Sequence, residues 1–193
     1  MKFTLFLCGL LAVGLATAIF AEPPQNGKSD ALKNAVILVI RHGEKPDKGP
    51  ELTAAGKARA QNYVKYFQNF TMDGQPLKLD YLFAAADSKA SHRARETIEP
   101  TSQSLGLPID SQFADLQFQK LADEILATPH GKNILICWHH GEIPKLVQAL
   151  GADPKLLFPK KGEWPDDVYN WVIQLRYNAD GRLFEAKRIN EPF

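Results

Sequence analysis

Two apolar patterns alternate along this chain. Continuous runs rich in β-branched residues occupy Ala35–Ile40 and Asn133–Trp138, and a shorter one occupies Tyr81–Ala85. Runs of that length and composition predict strands buried on both faces. Between them, apolar residues recur at helical spacing. The segment LTAAGKARAQNYVKYFQNF places Ala60, Val64 and Phe67 on one face, with Thr53 as N-cap, and DGQP breaks it. Ser91 to Leu105 predicts a helix stopped by Gly106 and Pro108, and Pro100 inside it should kink or split it. Leu116–Ala127 predicts another, with Leu121, Ile125 and Leu126 on one side, and Ile143–Leu150 a short one ending at Gly151. Val168–Tyr177 and Leu183–Asn190 flank an Asn-Ala-Asp-Gly turn and predict a hairpin. Strands alternate with helices until that hairpin, with no internal repeat. The pattern implies a three-layer α/β/α sandwich with a mostly parallel mixed sheet and an antiparallel hairpin at one edge.

The first residues have a different character. Lys2 precedes an apolar stretch from Phe3 to Phe20, followed by small residues and then a polar, proline-bearing stretch. This predicts a secretory signal peptide over 1–21, cleaved after Ala21 or after Ala18. An uncleaved membrane anchor is the alternative, since the run just reaches spanning length. Residues 22–34 read as a flexible leader and 35–193 as one domain. The location expected is secreted or periplasmic, with no membrane contact after signal removal.

Composition narrows the partners. The 193 residues carry 23 Lys+Arg against 22 Asp+Glu. That balance, without a basic stripe, excludes a nucleic-acid partner of the usual electrostatic kind. Signal removal takes away Cys8 and leaves Cys137 alone in the apolar NILICWHH stretch. A single cysteine forms no internal disulfide, so Cys137 is expected as a small buried hydrophobe.

Two predicted strands end in histidine-bearing turns: VIRHGE at 39–44 and CWHHGE at 137–142. In open α/β sheets, ligands bind beyond the carboxyl ends of the strands. If these strands are neighbours, His42 and His140 face each other across one pocket, and Gly43 and Gly141 let backbone approach a ligand. Arg41 beside them disfavours a cation and favours an anion. A guanidinium reads phosphate in bidentate fashion, and a neutral imidazole is a competent nucleophile. Arg93, in the segment DSKASHRARETIEP after the second strand, adds another cation at a helix N-terminus, with Ser88 and Ser91 as further donors.

The order of these motifs resembles the histidine phosphatase superfamily, the phosphoglycerate mutase-like fold, in its small single-domain branch. Arg41-His42-Gly43-Glu44, LTAAGKARA, RARET and CWHHGEIPKLVQALG carry the resemblance, which spans Ala35 to the C-terminus. It implies His42 as the phosphorylated nucleophile, Arg41 and Arg93 as phosphate-pocket arginines, and His140 as the second pocket histidine. It implies Glu44 at the pocket mouth, and no metal or other cofactor. The sequence departs from the family where DSKASH replaces the usual Ser-Pro, and where His139 stands in place of a serine. It also lacks the Gly-Trp-Glu-Gly-like context of a mutase acid. Glu142 is the proton donor expected here, and His139 a pocket neighbour.

The function expected is an exported phosphomonoesterase acting on a small phosphorylated substrate, with His42 held by a backbone carbonyl at its other nitrogen. A phosphohistidine-dependent mutase and a catalytically weak phospho-ligand-binding protein are the alternatives. A zinc site built from His42, His139 and His140 is a more distant one. Neither the substrate's identity nor the oligomeric state is legible in the sequence.

Overall fold

A computed structural model describes residues 29–193, except the side chains of Lys160 and Lys161. The signal-like segment and residues 22–28 lie outside the described residues.

Six strands form one sheet in the order β5-β4-β6-β1-β7-β8. They are β1 (Val36–Arg41), β4 (Tyr81–Ala84), β5 (Ile109–Asp110), β6 (Asn133–Trp138), β7 (Trp171–Tyr177) and β8 (Leu183–Asn190). β1 runs parallel to β6, β4 parallel to both β6 and β5, and β7 antiparallel to β1 and β8. This is the mostly parallel mixed sheet with an edge hairpin that the apolar pattern predicts. Every residue of β1 is buried. That requires cover on both faces. Helices α1 (Ala54–Gln68) and α2 (Arg93–Leu105) pack together, as do α3 (Phe118–Ala127) and α4 (Ile143–Ala149).

Local signals account for most boundaries. The Thr53 hydroxyl accepts the Gly56 N–H and caps α1. On α1 the buried stripe is Gly56, Ala60, Tyr63 and Phe67. Tyr63 thus takes the core position expected for Val64, because its hydroxyl finds a buried acceptor in Glu191. α2 does not split at Pro100; its buried residues Thr97, Ile98 and Thr101 hold the helix on the core across the missing N–H. α2 ends at Gly106 in the left-handed region, as expected of a C-cap glycine.

Three elements correct the sequence reading. Asp73-Gly74 not only ends α1 but turns a small hairpin of β2 (Thr71–Met72) and β3 (Gln75–Pro76), both turn residues having positive φ. Two short helices, α5 (Pro154–Leu157) and α6 (Pro159–Gly162), fill part of the stretch between Gly151 and Val168, to which the sequence reading assigns no element. Finally, residues 29–34 are not flexible leader. Ser29 N–H donates to Gly181 O at 3.0 Å, its hydroxyl donates to Leu126 O, and Leu32 is in the core. A Cβ on Gly181 would fall 1.8 Å from Ser29 O, so this docking itself requires the glycine.

Candidate active site

The carboxyl ends of β1 and β6 meet because the two strands are hydrogen-bonded neighbours with Arg41 opposite Trp138. His42 N–H still donates to Trp138 O at 3.0 Å, and there the chain leaves the sheet. His42 therefore lies beside His139, ring centroids 5.0 Å apart and edge to face. His42 is 1% exposed. Its Nδ1 lies 2.7 Å from Gly43 O. A carbonyl oxygen can only accept, so Nδ1 carries the proton and Nε2 keeps its lone pair. Burial pushes the imidazole down to about 2, against the Gly43 bond, with His139, Arg41 and Arg93 adding to the depression. A buried histidine amid positive charge stays neutral.

Arg41 is fully buried at the strand tip. Its Nη1 donates to three carbonyls of one loop, Pro165 at 3.2 Å, Asp166 at 2.9 Å and Val168 at 2.7 Å. Its guanidinium lies 3.8 Å over the Tyr169 ring. Nη2 reaches His140 Nδ1 at 3.3 Å, and Nε has no partner. Because Arg41 can only donate, His140 Nδ1 accepts and Nε2 is its donor, bonded to Asp166 Oδ1 at 2.5 Å. Arg93 opens α2, donates from Nη1 to Gly49 O at 2.9 Å, and also buries Nε without a partner. Leaving a buried donor unmatched costs roughly 1–3 kcal/mol. Two such N–H groups lie on arginines whose charge is felt at His42. Lys45 adds a further positive charge felt at both His139 and His140. Burial and the surrounding cations push His139 down to about 4.

Two solved structures share this architecture. A phosphoglycerate mutase from Plasmodium falciparum aligns over 79% of this chain and 88% of its own, at 15% identity and a TM-score of 0.52. The SixA protein from Agrobacterium tumefaciens, assigned as a phosphohistidine phosphatase, aligns over 79% of this chain and 97% of its own, at 14% identity and 0.51. The chain has the phosphoglycerate mutase-like fold. No family profile and no curated protein matches it in sequence.

Set on this fold, the site residues expected from sequence divide into two groups. His42, Arg41, Arg93, His139 and His140 come together. The histidine ring facing His42 is His139, whereas His140 meets Arg41, the reverse of the facing pair expected.

The other residues are engaged elsewhere. Glu44, expected at the pocket mouth, is held by Arg59 through Nε and Nη2 at 2.8–3.2 Å. Burial pushes its carboxyl up, but the Arg59 bonds and charge bring it net below the usual range. Ser88 Oγ accepts the N–H groups of Ala90 and Ser91 within its own turn, and Ser91 Oγ accepts Arg93 N–H at the start of α2. Both hydroxyls serve local backbone. Gly43 is tight against Gly56: a Cβ on Gly43 would lie 3.0 Å from Gly56 Cα and O, and its N–H donates to Thr97 Oγ1. Gly141 has open space around it.

Glu142, the proton donor expected from sequence, is paired: Lys145 Nζ holds its carboxylate at 2.9 and 3.2 Å. Asp115, by contrast, has a buried Oδ1 with no partner. Burial first, then the charge of Glu142, pushes it up to about 6, with Lys145 opposing. Its backbone oxygen accepts Trp138 Nε1–H, which places it by the end of β6. Sequence spacing gave Asp115 no special context; the signal lay in the apolar neighbours on both sides, Ala114 and Leu116. Tyr169 and Asp166 carried no signal at all. Among the described residues, no group of three or more His, Cys, Asp and Glu side chains is arranged to hold a metal ion, and no helix is long and apolar enough to cross a membrane.

Proposed function

We propose that this chain is an exported histidine phosphatase that hydrolyses phosphate monoesters of small molecules through a phosphohistidine at His42. One observation carries the reading: a neutral imidazole with Nδ1 fixed by Gly43 O and Nε2 free, beside two arginines that bury unpartnered Nε–H groups. Nε2 attacks phosphorus while the bond from phosphorus to the ester oxygen breaks. Arg41 and Arg93 match the negative charge on the equatorial oxygens, which is the main demand of phosphoryl transfer. Asp115, protonated below about pH 6, gives its proton to the departing oxygen. A water then attacks the phosphohistidine, loses its proton to the Asp115 carboxylate, and releases inorganic phosphate with His42 restored. Export is supported by the apolar, singly charged N-terminal stretch over 1–21.

The test uses an aryl phosphate with chelator present. His42→Ala is expected to abolish turnover, and rapid quenching of labelled substrate in alkaline detergent, which preserves the acid-labile phosphoramidate, should find phosphate on wild type alone. Wild-type rates in the variant would overturn the proposal.

A further inference from the structure

Among the charged and imidazole side chains gathered around His42, that of His139 alone is untied. His42 Nδ1 is fixed by Gly43 O, and His140 spends Nδ1 on Arg41 and Nε2 on Asp166. Arg41 and Arg93 each donate to loop carbonyls. Neither ring nitrogen of His139 has a hydrogen-bond partner among the described residues. Its backbone, in contrast, is pinned: His139 O accepts Glu142 N–H at 3.0 Å and Ile143 N–H at 3.1 Å, at the start of α4. A half-buried ring fixed at its root, with both nitrogens unmatched, keeps its hydrogen-bonding capacity for a ligand.

Strand register decides what that ring faces. Arg41 and Trp138 are partners in the parallel pairing of β1 with β6, so His42 and His139 leave the sheet side by side. Their ring centres are 5.0 Å apart and the planes cross at 66°. In-line attack brings phosphorus to about 3–3.5 Å from His42 Nε2. An N–H then reaches a phosphoryl oxygen from about 2.7–3.2 Å away. A ring centred 5.0 Å from the nucleophile lies within that combined span. Burial, then Arg93, His140, Arg41 and Lys45, hold His139 neutral, at about 4. A neutral imidazole owns one N–H. With neither nitrogen committed to the protein, the proton can sit on whichever one meets the anion.

We propose that His139 is a further catalytic residue: its single ring N–H donates to an equatorial phosphoryl oxygen while His42 Nε2 attacks phosphorus. The inference rests on the phosphohistidine reaction proposed above. His139 gains and loses no proton in the step; it supplies a hydrogen bond that strengthens as charge gathers on that oxygen. His140, with both nitrogens engaged, serves instead to hold Arg41.

The test is calorimetric binding of inorganic phosphate, which requires no turnover, joined to ¹⁵N spectra of the ring nitrogens at pH 8. His139→Ala should bind phosphate about ten- to a hundredfold more weakly, the factor of a hydrogen bond to a charged group. His139→Asn and His139→Gln place an amide N–H near the positions of Nδ1 and Nε2, so one of the two should recover a measurable part of that loss. In wild type the His139 nitrogens, assigned by their absence from the His139→Asn spectrum, should interconvert between tautomers without phosphate. Saturating phosphate should fix one as donor and the other as acceptor. A ring that only packs against His42 would show the same tautomer pattern with and without phosphate, and that result would overturn the inference. So would wild-type affinity in His139→Ala, or no recovery by either amide. Wild type that neither binds phosphate nor hydrolyses an aryl phosphate would sink the phosphatase reading and this inference together; phosphate binding indifferent to His139 sinks this inference alone.

Discussion

A histidine attacks phosphorus only while one ring nitrogen keeps its lone pair, and an acid assists only while it keeps its proton. His42 and Asp115 are displaced in opposite directions by the same cause. Burial holds His42 down at about 2, so it is neutral, and competent, at every pH above that. Burial lifts Asp115 to about 6, so it is protonated, and competent, at every pH below that. The window in which both hold runs from about 2 to about 6. Turnover of alkyl phosphates should be flat over the acidic range and fall about tenfold per unit above pH 6, as a single-proton loss requires. Asp115→Asn should slow alkyl phosphates by about 10²–10⁴ and remove that alkaline limb, while aryl phosphates, whose leaving oxygens need no proton, lose far less. Equal losses on both ester types would show that Asp115 is not the acid.

At the scale of elements, the Arg41–Glu44 tetrapeptide is held by a helix that follows it in sequence after only a short loop. Glu44 O accepts Thr53 N–H and lies against Gly56 on the first turn of α1, and Gly43 N–H is tied to Thr97 on α2. A Cβ on Gly56 would come within 2.6 Å of Glu44 O and 2.9 Å of Glu44 N. Both are backbone atoms, so the Arg41–Glu44 turn must shift as a unit. Gly56→Ala is expected to cost about 1–3 kcal/mol in denaturant unfolding, the usual scale of overpacking. It should also lower kcat by moving His42. Wild-type stability and rate in that variant would refute this packing role. The same contact shows what was readable beforehand. Buried strands, the Thr53 cap, the Gly106 stop and the histidine-bearing strand tips are written in neighbouring residues, so periodicity and capping rules reach them. Glu44 and Ser88 looked like pocket residues because their positions are near His42 or Arg93 in sequence. Their partners, Arg59 and a local turn, are decided by side-chain direction. Tyr169 and Asp166 reach Arg41 and His140 across gaps of more than a hundred and of twenty-six residues, which no local pattern encodes.

Across the whole molecule, one buried network joins the active tetrapeptide to the far end of the described chain. Arg59 binds Glu44, Glu191 Oε2 at 3.0 Å and the backbone oxygen of Phe193 at 2.9 Å, while Tyr63 donates to Glu191 Oε1 at 2.6 Å. Glu191 is 4% exposed. Burial lifts its carboxyl from 4.5 to about 7, although the Tyr63 and Arg59 bonds pull the other way. The folded protein therefore holds this proton more tightly than the unfolded chain does. Between about pH 4.5 and 7 folding takes up a proton, and stability from this group falls as pH rises through that window. The loss is on the order of 1–3 kcal/mol. Asp115 titrates in the same range, so the informative quantity is the difference between wild type and Glu191→Gln. Urea unfolding at pH 5 and pH 8 should show wild type losing more stability than the variant, whose amide keeps an acceptor for Tyr63 but has no proton to lose. The Arg59–Glu44 pair survives in both, so activity at pH 5 should persist in the variant. Equal losses in the two proteins would mean that Glu191 is already ionised in the fold, held so by Arg59, and that the network acts as a permanent strut and not as a titrating one.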